Sequence, residues 1–280
     1  MEEVAEVPAL RAWRREARAA GRRVALVPTM GFLHAGHLAL VDDARRRAEL
    51  VVMSIFVNPL QFGPGEDFDR YPRDLNRDRA LVRDRRVDLL FVPTVATMYP
   101  PGADTRIVPG AAGDRWEGAA RPGHFAGVLT VVAKLFHLVE PEVACFGQKD
   151  IQQVTLVRRM VRDLDLPVEL SVVPTVREED GLALSSRNSY LGPNERQDAL
   201  ALNRGLRAAA VAWRTGERAG PALEAVVARE IAAAPALRAD YIAAIDPEHL
   251  QRVDEAVPGT ILAAAVRVGR TRLIDNLILR

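Results

Sequence analysis

The sequence predicts an α/β protein, with a parallel sheet covered by helices on both faces in its N-terminal part and a smaller α+β domain after it. Two observations carry this. Up to about residue 174, short apolar, β-branched runs bounded by turn residues alternate with amphipathic stretches, the pattern that buries a parallel sheet on both sides. Beyond Pro174 the pattern becomes a long Ala- and Arg-rich helical stretch followed by strand-like runs.

The first strand is expected at residues 24–27 (VALV), and the helix after it at 38–48, where Leu38, Val41 and Ala44 share a side. A second strand follows at 50–57, a helix at 76–85 and a third strand at 87–92. A helix at 128–139, a fourth strand at 143–146, a helix at 151–162 and a fifth strand at 168–173 complete the alternation. The domain boundary is expected near residues 174–180. Past it, 194–233 has helical spacing, while 241–245, Ile261–Val268 and 272–274 read as strands, the last two joined by the turn-like Gly269-Arg270.

Composition narrows the function. The 38 basic and 37 acidic side chains of the 280 residues leave a formal charge of +1, which argues against a protein that coats nucleic acid or an anionic membrane. Any anion must be met locally. At 49% hydrophobic and 27% charged the chain has an ordinary soluble composition. Its apolar runs, such as 260–266, fall far short of the roughly 18 residues of a membrane span. The acidic start MEEVAEV predicts no secretory leader, and the single Cys145 precludes an internal disulfide and fits a reducing, cytoplasmic setting. Only two of the basic residues are lysines, Lys134 and Lys149, so each is worth inspecting.

Parallel sheets bind ligands beyond the carboxyl ends of their strands, so the segments after each strand are where chemistry is sought. After the first comes Pro28-Thr29-Met30-Gly31-Phe32-Leu33-His34-Ala35-Gly36-His37, running into a helix. A helix start offers unpaired N–H groups and partial positive charge, and two imidazoles there can donate to phosphoryl oxygens. A zinc pair or two helix-capping histidines are the alternatives, although no third zinc ligand accompanies the pair. After the second strand, Asn58 and Gln61 are neutral, two-sided groups suited to hydroxyls and a carbonyl, or else parts of an Asn-Pro turn. After the fourth, Gly147 permits close backbone approach, and Lys149 supplies a compact charge beside Asp150; the alternative is a solvated pair at a helix start. After the fifth, Ser185, Ser186 and Arg187 suit a polyphosphate clamp or a capping run.

Together and in this order, the blocks PTMGFLHAGH, FVNPLQFGPGEDFDRYPRD, RPGHFAGVLTVVAKLF, FGQKDIQQ and DGLALSSRN, spanning residues 28–188, resemble the pantothenate synthetase family, the AMP-forming pantoate-β-alanine ligases. The resemblance is looser beyond residue 190. It implies a Rossmann-like catalytic domain over 1–176 that binds ATP and pantoate, and a smaller α+β lid domain over 177–280. Within the wider nucleotidyltransferase superfamily, His34 and His37 are similar to the paired histidines of the HxGH motif, and 184–187 to the mobile KMSKS loop.

The resemblance further implies two steps: pantoate attacks the α-phosphorus of Mg-ATP to give pantoyl adenylate and pyrophosphate, and the β-alanine amine then displaces AMP. By similarity the catalytic residues are His34, His37, Lys149 and Arg187. Met30, Gly31, Gly147, Asp150, Val176, Leu184, Ser185 and Ser186 join them around ATP. Gln61, Gln153 and Asn58 would hold pantoate and β-alanine, with Tyr71, Arg121 and His124 in support. Mg²⁺ is expected with ATP, on phosphates and water rather than on assigned protein ligands, Asp78 being a candidate. A cytoplasmic homodimer is implied, without nucleic acid or membrane as partner. The departures are Ala35 and Gln148, where the family often has Glu. A nucleotidyltransferase that stops after the first step and a non-catalytic scaffold are the competing readings. The paired Gln61 and Gln153 favour the ligase over the first, and the full set of histidines, lysine and clamp loop speaks against the second.

Overall fold

A computed structural model describes residues 1–280. In chain order the elements are β1 (Glu2–Val4), α1 (Val7–Ala19), β2 (Val24–Thr29), α2 (Ala35–Arg47), β3 (Leu50–Ile55), α3 (Leu75–Asp84), β4 (Leu89–Phe91) and α4 (Val95–Met98). They continue with α5 (Glu117–Ala120), α6 (His124–Val139), β5 (Val143–Gly147), α7 (Ile151–Asp163) and β6 (Glu169–Val173). The remainder is α8 (Pro193–Arg214), α9 (Gly220–Ala232), β7 (Leu237–Ile245), β8 (Ile261–Val268) and β9 (Thr271–Ile278). No helix is long and apolar enough to cross a membrane.

The chain divides into two compact units: 1–114, 121–147 and 156–174 in one, and 115–120, 148–155 and 175–280 in the other. The first holds a wholly parallel six-stranded sheet in the order β1-β4-β3-β2-β5-β6. Its central strands carry apolar side chains on both faces, and Ala25, Val27, Val51, Met53 and Val143 pack with Leu40, Val41 and Ala44 of α2. Strand order reverses between β2 and β5. The crevice of such a sheet therefore opens between the segments that leave β2 and β5, after Thr29 and at Gly147.

The five expected strands and four expected helices of the alternation are all present, with shifted ends. α2 and α6 begin at Ala35 and His124, earlier than their apolar spacing indicates, because their first turns are polar or glycine-rich segments. β1 and α1 were outside the expected set. β1 is a three-residue edge strand paired with β4, too short to show a period, although α1 does bury Leu10, Arg14 and Ala17 at helical spacing.

In the second unit, α8 and α9 cover an antiparallel sheet in the order β7-β8-β9. Leu202, Leu206 and Trp213 of α8 meet Leu223 and Val227 of α9 and the β8 residues Leu262, Ala264 and Val266 in one core. The expected helical stretch 194–233 is broken at residues 215–219 into two helices, and β9 runs on to Ile278 rather than stopping at 274.

Candidate active site

The β2–α2 loop is shaped by groups that bind its backbone. The Thr29 hydroxyl donates to the Ser54 carbonyl (2.8 Å) and accepts from the Gly31 N–H (3.2 Å). Gly31 sits at φ 84°, and a Cβ there would lie 2.9 Å from Ile55 Cγ2 and 3.1 Å from Asp78 Oδ2, so a larger residue would be strained and would displace these side chains. Asp78, 1% exposed in the first turn of α3, accepts from the N–H groups of Phe32 (2.7 Å) and Leu33 (2.8 Å), one on each carboxylate oxygen. Burial raises its pKa against the pull of those two bonds. The sequence offered Asp78 as a candidate magnesium ligand; in the structure each of its oxygens accepts one N–H of this loop.

His34 is the N-cap of α2. Its Nδ1 accepts from the Gly36 N–H (3.1 Å), and His37 Nδ1 accepts in turn from the His34 N–H (3.3 Å), a reciprocal capping box. The ring centroids are 4.0 Å apart. Capping, the alternative to phosphate binding in the sequence, is therefore present, and it does not compete. A neutral ring whose Nδ1 accepts carries its proton on Nε2, so the cap leaves each imidazole a donor at its other nitrogen, beside a helix N-terminus.

Gln61 lies on the turn Pro59–Gln61 after β3. Asn58, 0% exposed, donates through Nδ2 to Gln61 Oε1 (3.0 Å) and to the Gly127 carbonyl (3.1 Å). Its Oδ1 accepts from the Leu60 N–H (3.2 Å) and the Tyr99 hydroxyl (3.0 Å). The amide has thus spent both donors and both acceptor sites inside the protein, and Asn58 is turned on Gln61 rather than outward. A Cβ on Gly127 would fall 2.0 Å from the Leu60 carbonyl oxygen, so the turn rests directly on the backbone of α6.

The Gln61 carbonyl accepts from Arg121 Nη2 (3.0 Å) and from His124 Nδ1 (2.8 Å). Since Arg121 Nη1 donates to His124 Nε2 (3.1 Å), that ring carries its proton on Nδ1. Arg121 also grips Glu66 with two bonds of 2.9 and 2.6 Å. Burial works against the Glu66 charge, but the Arg121 pair outweighs it and the pKa is lowered. Lys134 donates to the Met98 carbonyl and lies 5.7 Å from the Tyr99 ring centroid, so this lysine supports the segment that delivers Tyr99 to Asn58.

In the other unit, Lys149 stands on the single turn Gln148–Asp150, which follows Gly147. Its side chain is 21% exposed, and Nζ is 3.9 Å from Asp150 Oδ1, a loose pair. On the first turn of α7, Gln152 is tied to 115–117, accepting from the Glu117 N–H (3.1 Å) and donating to the Arg115 carbonyl (2.9 Å). Gln153 is half-buried beside it. Val176 and Leu184 are joined across a hairpin by Leu184 N–H to Val176 O (3.0 Å). Ser185 then caps the turn Ser186–Tyr190, accepting from the Arg187 N–H (3.2 Å). Lys149 and Ser185 line one cavity together with Ala183, Asn203, Leu273 and Asp275. Three neighbours of these residues were not found in the sequence, namely Arg177, Asp275 and Asn276. Asp275 pairs with Arg177 (2.6 and 2.9 Å), and Asn276 donates to the Gln148 and Lys149 carbonyls (both 2.9 Å).

The sequence profile of the pantoate-beta-alanine ligase family matches residues 2–278. The chain belongs to this family. Among its relatives, the pantothenate synthetase of Chloroflexus aurantiacus is 54% identical over 266 residues, 95% of either chain. That of Moorella thermoacetica is 50% identical over 279 residues, 100% of this chain and 99% of its own. The crystal structure of pantothenate synthetase from Thermus thermophilus matches with a TM-score of 0.95 at 52% identity, covering 100% of this chain and 99% of that one. The pantoate-beta-alanine ligase from Francisella tularensis, complexed with beta-gamma ATP and beta-alanine, matches with a TM-score of 0.82 at 31% identity over 99% and 97%. The α/β fold of the chain, with its parallel sheet and small antiparallel sheet, is thus a fold of this ligase family.

Proposed function

We propose that the chain condenses (R)-pantoate with β-alanine at the expense of ATP, through pantoyl adenylate, giving pantothenate, AMP and pyrophosphate. The observation that supports this chemistry is that His34 and His37 cap α2 through their Nδ1 atoms; on this reading their Nε2–H groups serve as the phosphoryl donors.

In the first step a pantoate carboxylate oxygen attacks the α-phosphorus of Mg-ATP in line, and the bond to the pyrophosphate oxygen breaks. No protein nucleophile is needed, so positioning and charge stabilisation do the work. His34, His37 and the α2 N-terminus meet the phosphoryl charge, Lys149, Ser185, Ser186 and Arg187 the departing phosphates. Met30, Gly31, Gly147, Asp150, Val176 and Leu184 line the nucleotide. Gln61 and Gln153 hold the pantoate hydroxyls and carboxylate, with Asn58 holding Gln61. Magnesium enters with ATP as substrate, coordinated by phosphates and water. In the second step the amine of β-alanine attacks the acyl carbon and AMP leaves as the carbon–oxygen bond breaks, the amine losing its proton.

On this reading residues 1–176 form the catalytic domain and 177–280 its lid, in a cytoplasmic homodimer. A mass spectrum of the products tests the reaction. Free AMP with a new amide is expected; a stable nucleotide conjugate would identify a transferase instead.

A further inference from the structure

Asn276 of β9 is 2% exposed and gives its whole side-chain amide to one turn. Nδ2 donates to the carbonyls of Gln148 and Lys149 (both 2.9 Å), and Oδ1 accepts from Gln148 Nε2 (3.2 Å). Two carbonyls on one side fix which way the amide faces. The adjacent Asp275, also buried, binds Arg177 through both oxygens, and Oδ1 accepts the N–H of Asn276 (2.8 Å). Arg177 Nη1 reaches further, to the Gly181 carbonyl (3.2 Å), and Arg177 pairs with Ala183 in the hairpin that ends in Ser185, Ser186 and Arg187.

Two neighbouring residues of one strand therefore hold both the turn that bears Lys149 and the base of the hairpin that bears the clamp loop. The reach of a lysine ammonium on its flexible four-carbon stem is set by where its backbone stands. Gln148–Asp150 is a single 3₁₀ turn with little structure of its own to fix that backbone. Burying an amide and a carboxylate side by side is costly unless their bonds are made, and here they are made almost entirely to these two segments.

We propose that Asp275 and Asn276 are positioning residues for adenylate formation, Asn276 placing Lys149 and Asp275, through Arg177, placing the Ser185–Arg187 run. The assignment rests on those side chains meeting the ATP phosphates, as proposed above. It predicts a much larger defect in the first half-reaction than in the second, because the attack of β-alanine on a finished adenylate no longer involves pyrophosphate.

The test is rapid-quench kinetics on folded Asn276→Asp, which sets a carboxylate oxygen against the two carbonyls. Adenylate formation from pantoate and Mg-ATP is measured beside the reaction of synthetic pantoyl adenylate with β-alanine. A displacement of about 1 Å costs roughly a hundredfold, so adenylation is expected to fall by that order while the second half-reaction stays within about threefold of wild type. Asn276→Ala, which removes the bonds without adding charge, is expected to show the same split with a smaller loss and serves if the first variant does not fold. Equal losses in both half-reactions, or none in either, would overturn the positioning role. A wild-type protein that forms no pantoyl adenylate would instead overturn the reading of function beneath it.

Discussion

His34 and His37 each turn Nδ1 to the backbone at the start of α2, with ring centroids 4.0 Å apart. One nitrogen of each ring builds the helix start, which in the neutral ring puts the proton on the other, so the proposed chemical role falls on the opposite edge of the side chain from the structural one. His37→Ala is expected to slow adenylate formation by more than about a hundredfold, taking one lost phosphoryl donor as roughly 3 kcal/mol. Loss of the cap adds a stability cost of about 0.5–2 kcal/mol. Single-turnover chemistry and denaturant unfolding measure the two separately, and near-normal chemistry would refute the donor role.

Gln153 follows the tethered Gln152 in the first turn of α7. If Gln153 meets pantoate, Gln153→Ala raises the KM for pantoate far more than that for ATP. Equal changes in both constants would mark it as a scaffold residue.

Asn58 holds Gln61, Leu60, Gly127 and Tyr99 with one amide. Asn58→Ala deprives the buried Gly127 carbonyl and three half-buried partners of their bonds, which predicts a loss of about 1–3 kcal/mol in unfolding free energy. It also frees the Gln61 side chain, so KM for pantoate should rise in protein that is still folded. An unchanged KM in folded variant would separate Asn58 from the substrate site.

Glu66 has a lowered pKa in its pair with Arg121, against a reference of 4.5. A carboxyl depressed by folding stabilises the native state above its unfolded pKa, and that contribution is lost as pH falls through the folded value. The stability advantage of wild type over Glu66→Gln should therefore be full near pH 6, shrink below about pH 4.5 and disappear in stronger acid. Urea midpoints across this range test it, and a pH-independent difference would contradict the ion pair.

The strands of the first sheet are legible because interior parallel strands must be apolar on both faces. The loop after β2 is legible because two histidines around a glycine at a helix start are chemically distinctive. Less visible are the groups that hold these parts in place. Asp78 is one of two acids in an Arg-rich helix, and nothing local shows that it binds the N–H groups of Phe32 and Leu33, more than forty residues away. Asn276 and Lys149 are 127 residues apart, and on β9 an Asp-Asn pair reads as ordinary strand polarity. Spacing places Asn58 beside Gln61 but cannot tell which way a buried amide faces, and in the structure it is bonded to Gln61, Gly127, Leu60 and Tyr99.

Pantoate-dependent exchange of pyrophosphate into ATP, with Mg²⁺ and without β-alanine, is the most direct measurement. Exchange that requires pantoate, and falls when close hydroxy acids replace it, is the predicted result. No exchange in pure, folded protein, or exchange that ignores pantoate, would contradict adenylation of pantoate at this site.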